Sequence, residues 1–268
     1  MLSRLDFAER FGRHAIFGMV HLAPLPGAAL FGGSIDAVIE GAVNDARALA
    51  AGGCDGVVFE NFGDRPFRKH IDPETIAAMT RVIGEASRGL RLRFGVNALR
   101  NDARAALAIG AATGAAFIRI NIHIGAMVTD QGIIEGEAAD TLRLRAAFAP
   151  RVLIFADHLV KHAVPVGEVD EMQMARDLRE RGLADALIIS GRETGAAADV
   201  NRLLRTREAV DAPILIGSGL TAENAGDYAD ADGAIVGTSV KRDGHVEMPV
   251  DPLRVERVVR AFKQLVAR

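Results

Sequence analysis

Carboxylate and histidine side chains follow directly after short apolar runs at several points in the chain. His21 ends the run AIFGMVH, Glu60 ends DGVVFE, and Asp157 ends a run at FAD. Carboxylates and imidazoles are the groups that most often move protons in enzymes. A polar loop accounts for an asparagine or a glycine at such a position, but poorly for a carboxylate. We therefore predict that His21, Glu60 and Asp157 perform acid–base chemistry.

Lys161 is the fourth predicted catalytic residue. It follows Asp157 by about one turn in FADHLVKHA, where its charge could orient an anion or lower the pKa of a neighbour. His162 beside it is expected to be a surface or packing residue. The sequence requires no cofactor and assigns no metal ligand, because the candidate ligands are spread over four runs without a local metal motif. A divalent metal stays open as an alternative.

The fourth apolar run, FIRINIHIG, alternates between isoleucines and polar residues. In a β-strand the isoleucines would face helices, and the polar side chains would share the inner face. A buried guanidinium needs an anionic partner, so Arg119 would pair with Glu60, Asp157 or a substrate anion. The predicted substrate-binding residues lie at the ends of the second, third and fourth runs: Asn61, Asn97, Arg119, Asn121 and His123.

Two glycine turns near the end of the chain predict a phosphate site. They follow the seventh and eighth apolar runs, in PILIGSGLTAEN and GAIVGTSVKRDG. Glycine lets backbone N–H groups approach an anion closely, and a helix opening at Thr221 would add partial positive charge. The predicted phosphate-binding residues are Gly191 and Gly195 in SGRETG after the sixth run, Gly217, Ser218 and Gly219 in the first turn, and Gly237, Thr238 and Ser239 in the second.

Eight apolar runs, bounded by Gly, Asn, Asp or Pro, would position all of these residues. They are Ala15–His21, Asp55–Asn61, Arg91–Asn97, Ala115–His123, Arg151–His158, Ala184–Ser190, Pro213–Gly217 and Gly233–Thr238. Amphipathic segments alternate with them, and helix starts are predicted at Ser34, Asp72, Asp199 and Asp251, with Pro73 and Pro252 in two first turns.

This repeated alternation predicts an α/β fold, a single (β/α)8 TIM barrel over residues 1–268. A doubly wound open sheet is the alternative, but it would want a glycine-rich turn after the first strand, and none follows. In a barrel the carboxyl ends of the strands share one face, so the polar residues at the run ends would meet there. The glycine-punctuated loop at 124–136 would close over this face as a lid or pack statically against it.

Composition excludes several other classes of protein. The net charge is −3, there is no tryptophan and one tyrosine, and the arginines are dispersed, so nucleic acid is not an expected partner. The single cysteine, Cys54, excludes an internal disulfide and fits a reducing compartment. No window reaches the roughly 18 apolar residues of a membrane span. We expect a cytoplasmic protein with no transmembrane segment, and a homo-oligomer is left open.

Four stretches of the sequence resemble the hallmarks of the BtpA family, also called the BtpA/SgcQ family. They are GMVHLAPLPG (18–27), FENFGDRPF (59–67), HIGAMVTDQGIIEG (123–136) and ADHLVKHA (156–163). Together with the glycine turns, the similarity covers almost the whole chain. The resemblance implies a TIM barrel of the ribulose-phosphate-binding kind. It implies less about the reaction, since one cyanobacterial member is associated with photosystem I biogenesis and a bacterial relative lies among sugar-utilisation genes.

Individual residues agree with the family pattern, with two departures. The matching residues are His21, Glu60, Asn61, Asp64, Asn121, His123, Asp130, Gln131, Asp157, Lys161 and His162. The family's Asp-x-His after the fifth strand is missing, because His158 follows Asp157 directly and Leu159 takes the next place. Ala28 and Ala29 follow Pro-Leu-Pro-Gly where the family has Ser-Pro, which would relax the pocket beside the first loop.

These observations favour an enzyme that binds a small phosphorylated ligand, a sugar phosphate or a nucleotide-derived phosphate. Isomerisation, carbon–carbon cleavage and glycosidic transfer all fit acid–base groups beside an anchored phosphate. Two alternatives remain: a non-enzymatic assembly factor for a membrane complex of the photosystem type, which would expose an apolar patch, and a metal-dependent phosphate-ester hydrolase, which would need two carboxylates within reach of one metal ion.

Overall fold

Eight parallel strands close into a barrel in the computed structural model, which describes residues 1–191 and 193–267. The barrel strands are β1 (Ala15–His21), β2 (Gly56–Glu60), β3 (Arg93–Asn97), β4 (Phe117–Ile120), β7 (Leu153–His158), β9 (Ala186–Ile189), β10 (Ile214–Ile216) and β11 (Gly233–Val236). They neighbour one another in this order, and β11 pairs with β1 to close the ring. The prediction of a (β/α)8 TIM barrel is confirmed, and each predicted run contains one strand.

Helices surround the barrel, except for the first helix of the chain, which closes its amino-terminal end. They are α1 (Arg4–Phe11), α2 (Ile35–Ala51), α3 (Pro73–Ala86), α4 (Ala103–Thr113), α5 (Ala138–Phe148), α6 (Glu171–Glu180), α7 (Val200–Ala209) and α8 (Pro252–Lys263). The side chains of Ser34, Asp199 and Asp251 accept cap hydrogen bonds at the predicted starts of α2, α7 and α8, whereas Asp72 makes no cap bond. No helix in the described residues is long and apolar enough to cross a membrane.

The segment after β10 departs from the predicted helix at Thr221. Only a 3-10 turn forms there, at Ala225–Tyr228. The Thr221 hydroxyl accepts hydrogen bonds from the amides of Glu223 and Asn224, which closes a local turn instead of starting an α-helix. Any positive potential at the first glycine turn therefore comes from individual amides and side chains rather than from an α-helix.

The residues predicted to form a loop at 124–136 form a hairpin. Its strands, β5 (Ala126–Thr129) and β6 (Gly132–Glu135), pair in antiparallel fashion, and β8 (Ala163–Pro165), from the segment after β7, pairs with the other edge of β5. Met127 and Ile134 pack with Ile122 and Val160 in a separate small core. This arrangement favours the alternative of a static cover over that of a mobile lid.

Aromatic rings fill the barrel interior at its amino-terminal end. Phe7 and Phe11 of α1 pack against Phe17, Phe117 and Phe155 from three barrel strands, and the rings of Phe117 and Phe155 stack with centroids 4.2 Å apart. Since side chains alternate along a strand, the next inward positions on β4 and β7 are those two residues further on. The phenylalanine layer thus forms the floor under the polar residues of the barrel.

We expect Phe7→Ala to lower the free energy of unfolding by about 3–5 kcal/mol, because it opens a cavity in this layer. Leu5 on the same helix is 69% exposed, so Leu5→Ala is a matched control that should change stability by less than about 0.5 kcal/mol. Urea denaturation measures both variants. Equal effects would contradict the assignment of α1 as the plug of the barrel.

Candidate active site

Two contiguous cavities open at the carboxyl ends of the barrel strands. The turn cavity, about 420 Å³, is lined by the glycine turns after β10 and β11. The loop cavity, about 690 Å³, is lined by segments that follow β2, β3, β7 and β11. Glu60, Arg119 and Lys161 line both of them. A ligand bound in either cavity would therefore lie against the same three charged side chains.

Most of the predicted phosphate-binding residues line the turn cavity: Gly195, Gly217, Ser218, Gly219, Gly237, Thr238 and Ser239. Gly191 does not; its amide donates to the Ser218 hydroxyl, 3.1 Å away. A Cβ atom at Gly217 would lie 2.4 Å from the Ser190 hydroxyl. Gly219 has φ +73°, and its Cβ would lie 2.3 Å from the Ala196 carbonyl oxygen. A larger residue at either position would displace the turn.

Backbone donors in these turns remain available to a ligand. Within the described residues, the amides of Gly219, Thr238 and Ser239 donate to no protein oxygen. By contrast, the Ser218 hydroxyl donates to the Ala196 carbonyl over 3.1 Å, so this side chain braces the loop. An anion in the turn cavity would be held mainly by main-chain N–H groups, as the glycine pattern predicts.

Arg254 and Arg257 also line the turn cavity, and the sequence analysis missed both. They lie three residues apart on α8, and so share one face of that helix. The Arg254 Nε donates to the Ser239 carbonyl over 3.3 Å, which places its guanidinium against the second glycine turn. The available signal was their three-residue spacing in the first two turns of the helix after the eighth run.

Asp157 lies inside the barrel and lines neither cavity. Its carboxylate accepts two bonds from Arg119, at 3.0 Å from Nε and 2.8 Å from Nη2. Asn121 Nδ2 and the Ser190 hydroxyl also donate to it, at 2.9 and 3.3 Å. The catalytic role of Asp157 therefore stays a prediction, and both of its oxygens are engaged in the interior rather than at the cavity rim. Arg119 has Asp157, not Glu60, as its partner, and still reaches both cavities.

Glu60 and His21 stand together at the ends of β2 and β1. His21 Nε2 lies 3.7 Å from Glu60 Oε1, and Asn97 Nδ2 donates to Glu60 Oε2 over 2.5 Å. Burial, together with the positive charges of Lys241, Lys161 and Arg119, holds the pKa of His21 well below its usual range. The imidazole is consequently neutral near pH 7 and able to accept a proton. Asn97 lines neither cavity and acts through Glu60.

Lys161 faces both cavities without an ion-pair partner among the described residues. Burial lowers the pKa of its amine, and the charge of Arg119 lowers it further, while Glu60 and Asp157 act in the opposite direction. A lysine with a lowered pKa exchanges its proton closer to neutral pH than an exposed lysine does. Lys161 thus fits the predicted catalytic role better than Asp157 does.

Like Asn97, the predicted substrate contacts Asn61 and His123 lie outside both cavities. Asn61 accepts from the Leu99 amide over 2.7 Å and donates to Asp64, so it joins the loops after β2 and β3. His123 Nε2 lies 2.8 Å from the Gly182 carbonyl. The expected inward alternation fails for His123 because β4 ends at Ile120, three residues earlier. Asn121 does point inward and lines the loop cavity.

Two further histidines, His162 and His158, lie in different surroundings from each other. His162, expected at the surface or in packing, lines the loop cavity with Nε2 3.1 Å from the Thr194 hydroxyl. His158 is buried beside Asp157 in sequence, and burial lowers its pKa to about 4. Within the described residues neither ring nitrogen of His158 has a hydrogen-bond partner. His158 lines neither cavity, and it also does not stand at the histidine position of the family's Asp-x-His motif.

The candidate metal ligands do not cluster among the described residues. Within the part of the chain that the structure describes, no three His, Cys, Asp or Glu side chains converge as a set of metal ligands. A metal-dependent hydrolase would need Glu60 and Asp157 to face one metal ion. In this structure Glu60 faces the cavities, whereas Asp157 faces Arg119.

The barrel belongs to a class of folds shared by many enzymes. The thiamine phosphate pyrophosphorylase from Pyrococcus furiosus is similar to it with a TM-score of 0.57 at 14% identity, covering 94% of this chain and 97% of that one. The N-(5'-phosphoribosyl)anthranilate isomerase from the same organism gives a TM-score of 0.56 at 15% identity, covering 94% and 100%. At these identities the similarity shows the TIM-barrel fold alone.

Comparison of this sequence with known families identifies the family to which the chain belongs. The profile of the BtpA family matches residues 12–264, and the chain belongs to that family. It is 44% identical to the photosystem I biogenesis protein BtpA of Synechocystis sp., over 97% of this chain and 92% of that protein. It is 35% identical to the putative sgc region protein SgcQ of Escherichia coli, over 91% and 92%.

We expect Asp157→Asn to lower the free energy of unfolding by about 3–5 kcal/mol, because it leaves the buried Arg119 charge without its partner. Lys161→Met removes a charge that has no ion pair, so it should cost less than about 1 kcal/mol or stabilise the protein. Urea denaturation at pH 7 compares them. If Asp157→Asn proved as mild as Lys161→Met, the carboxylate would not be the interior anchor assigned here.

Proposed function

We propose that this protein is an enzyme that acts on a small phosphorylated metabolite, a sugar phosphate or a nucleotide-derived phosphate. One observation carries the proposal: the glycine turns with their available amides and the group of His21, Glu60 and Lys161 line the same cavity. A phosphate held at the turns would keep the rest of the substrate against the titratable groups. Binding energy from the non-reacting phosphate would then orient the reacting carbon.

The acid–base roles in this proposal fall to Glu60, His21 and Lys161. Asn97 fixes the Glu60 carboxylate, so one of its oxygens faces the cavity beside a neutral imidazole. The neutral His21 can take up a proton, and Lys161 can return one. These groups suit an isomerase, a lyase or a glycosyl-transferring enzyme, since each of those reactions requires a proton to be removed and another delivered. Asp157 is a positioning residue that holds Arg119.

The names of similar proteins support the proposal that the substrate is phosphorylated. The solved barrels include enzymes named for thiamine phosphate and for phosphoribosylanthranilate, and in TIM barrels phosphate groups often bind at the loops after the last two strands. The turn cavity lies at those loops in this chain. The arginines on α8 add positive charge that the glycine turns alone would not supply.

A second function, assembly of a protein complex, is favoured by one feature of the small sheet. Ile133, Val128 and Val164 lie side by side across its three strands and are 50%, 43% and 64% exposed. This row is an apolar surface away from the cavities, and the Synechocystis relative is named for photosystem I biogenesis. An assembly factor would need this surface but not a phosphate ligand, so ligand binding separates the two functions.

We expect ribose 5-phosphate to raise the melting temperature of the protein, because a ligand that binds only the folded state stabilises it. Arg254→Met should weaken this binding about tenfold or more, since a charge-assisted contact is lost. Arg260 on the same helix is exposed, pairs with Glu256 and does not line the cavity, so Arg260→Met is the control. Equal shifts in both variants would place the phosphate elsewhere.

We expect Glu60→Gln to bind phosphorylated sugars as the unmodified protein does but to convert them at least about a hundredfold more slowly. Turnover of a panel of sugar phosphates is followed by phosphorus NMR. Glu208→Gln, at an exposed carboxylate of α7 that lines neither cavity, is the control and should retain full turnover. Conversion at an unchanged rate by the Glu60 variant would remove this carboxylate from the chemistry.

A further inference from the structure

Arg100 is a buried cation that the proposed chemistry does not use. Its exposed fraction is 5%, and it lines the loop cavity. Its Nη2 donates to the main-chain carbonyl of Lys161 over 2.8 Å, which fixes the direction of the guanidinium. Among the described residues, no carboxylate oxygen lies within 4.0 Å of its nitrogens. A buried arginine without an acidic partner is unusual, because removing its charge from water is costly.

The acidic groups around the loop cavity do not compensate Arg100. Glu247 pairs with Arg65 over 3.7 Å, and Asp130 is exposed and accepts from Gln131. Glu60 is bound by Asn97 and lies beside His21, while Asp157 is engaged with Arg119. Burial lowers the pKa of Arg100, and the positive charge of Arg119 lowers it further, whereas Asp157, Asp130 and Glu60 act in the opposite direction.

The residues that line the loop cavity indicate how a ligand could extend through it. Phe62, Phe67 and Leu99 supply apolar surface, and Lys161 and Glu60 lie at the junction with the turn cavity. A substrate that extends from the glycine turns past Glu60 would therefore bring its far end into the cavity that Arg100 lines. A guanidinium fork matches the planar oxygens of a carboxylate and also binds phosphate.

We propose that Arg100 forms a second anion subsite, so that the substrate carries two anionic groups, a phosphate at the glycine turns and a carboxylate or phosphate at Arg100. This inference rests on the proposed function for the first of the two groups. It narrows the substrate class from phosphorylated metabolites in general to those with an acidic group at each end. The reacting carbon then lies between two fixed anions, next to Glu60 and Lys161.

The test compares ligands that differ in one terminal anion. Isothermal titration calorimetry measures glycerol 3-phosphate against 3-phosphoglycerate, sorbitol 6-phosphate against 6-phosphogluconate, and ribulose 5-phosphate against ribulose 1,5-bisphosphate. The first two pairs add a carboxylate at different chain lengths and the third adds a phosphate. We expect the protein to bind the doubly anionic member of at least one pair about tenfold more tightly, the usual gain from a charge-assisted contact.

Variants at Arg100 assign this preference to the subsite. Arg100→Met should abolish it while leaving the affinity for the singly anionic partner within about twofold. Arg100→Gln loses the charge but retains a donor for the Lys161 carbonyl, so it gives the same readout if the methionine variant does not fold. Arg65→Met is the control, because Arg65 lines the same cavity but is half exposed and paired with Glu247. It should keep the preference.

The outcomes distinguish this inference from the function on which it rests. If no compound of either kind binds, the proposed phosphate site fails and the second subsite fails with it. If the singly anionic phosphates bind and none of the doubly anionic partners binds more tightly, only the second subsite is overturned. A preference that survives in the folded Arg100 variants, or that is lost equally in Arg65→Met, also overturns it.

Discussion

The ion pair between Arg119 and Asp157 is the constraint on which the rest of the site depends. It lies in the barrel interior directly after the phenylalanine layer along β4 and β7, and Asn121 and Ser190 extend it to neighbouring strand ends. Because the carboxylate is fully engaged, the guanidinium is held where it lines both cavities. Below this pair the barrel interior is filled by phenylalanine rings, and above it the charged side chains of Glu60 and Lys161 line the cavities.

Burial and the neighbouring positive charges then lower the pKa values of His21 and Lys161. Arg119 contributes to both: it follows burial for Lys161, and it follows burial, Lys241 and Lys161 for His21. Glu60 remains as the carboxylate that faces the shared part of the cavities. In the proposed function, a negatively charged substrate would lie against the positive charges of Arg119 and Lys161, with Glu60 beside it.

Much of the fold and part of the site could be predicted from the sequence. Strand–helix alternation and the position of the glycine turns depend on local pattern, and both agree with the structure. The site differs from a local pattern where a distant partner decides: the Asp157 carboxylate is bound by Arg119, the His123 ring bonds to Gly182, and the 124–136 segment pairs with β8. Arg100 lies three residues after the third apolar run, and Arg254 and Arg257 lie on α8, so only their placement in three dimensions brings them to the cavities.

The most direct measurement is a crystal structure of the protein with a bound sugar phosphate. We expect phosphate oxygens within about 3.2 Å of the amide nitrogens of Gly219, Thr238 and Ser239, with the sugar carbons directed toward Glu60 and Lys161. A phosphate found away from these turns, for example in the groove between β8 and α6, would contradict the central claim that the turns anchor the substrate for the residues at the barrel mouth.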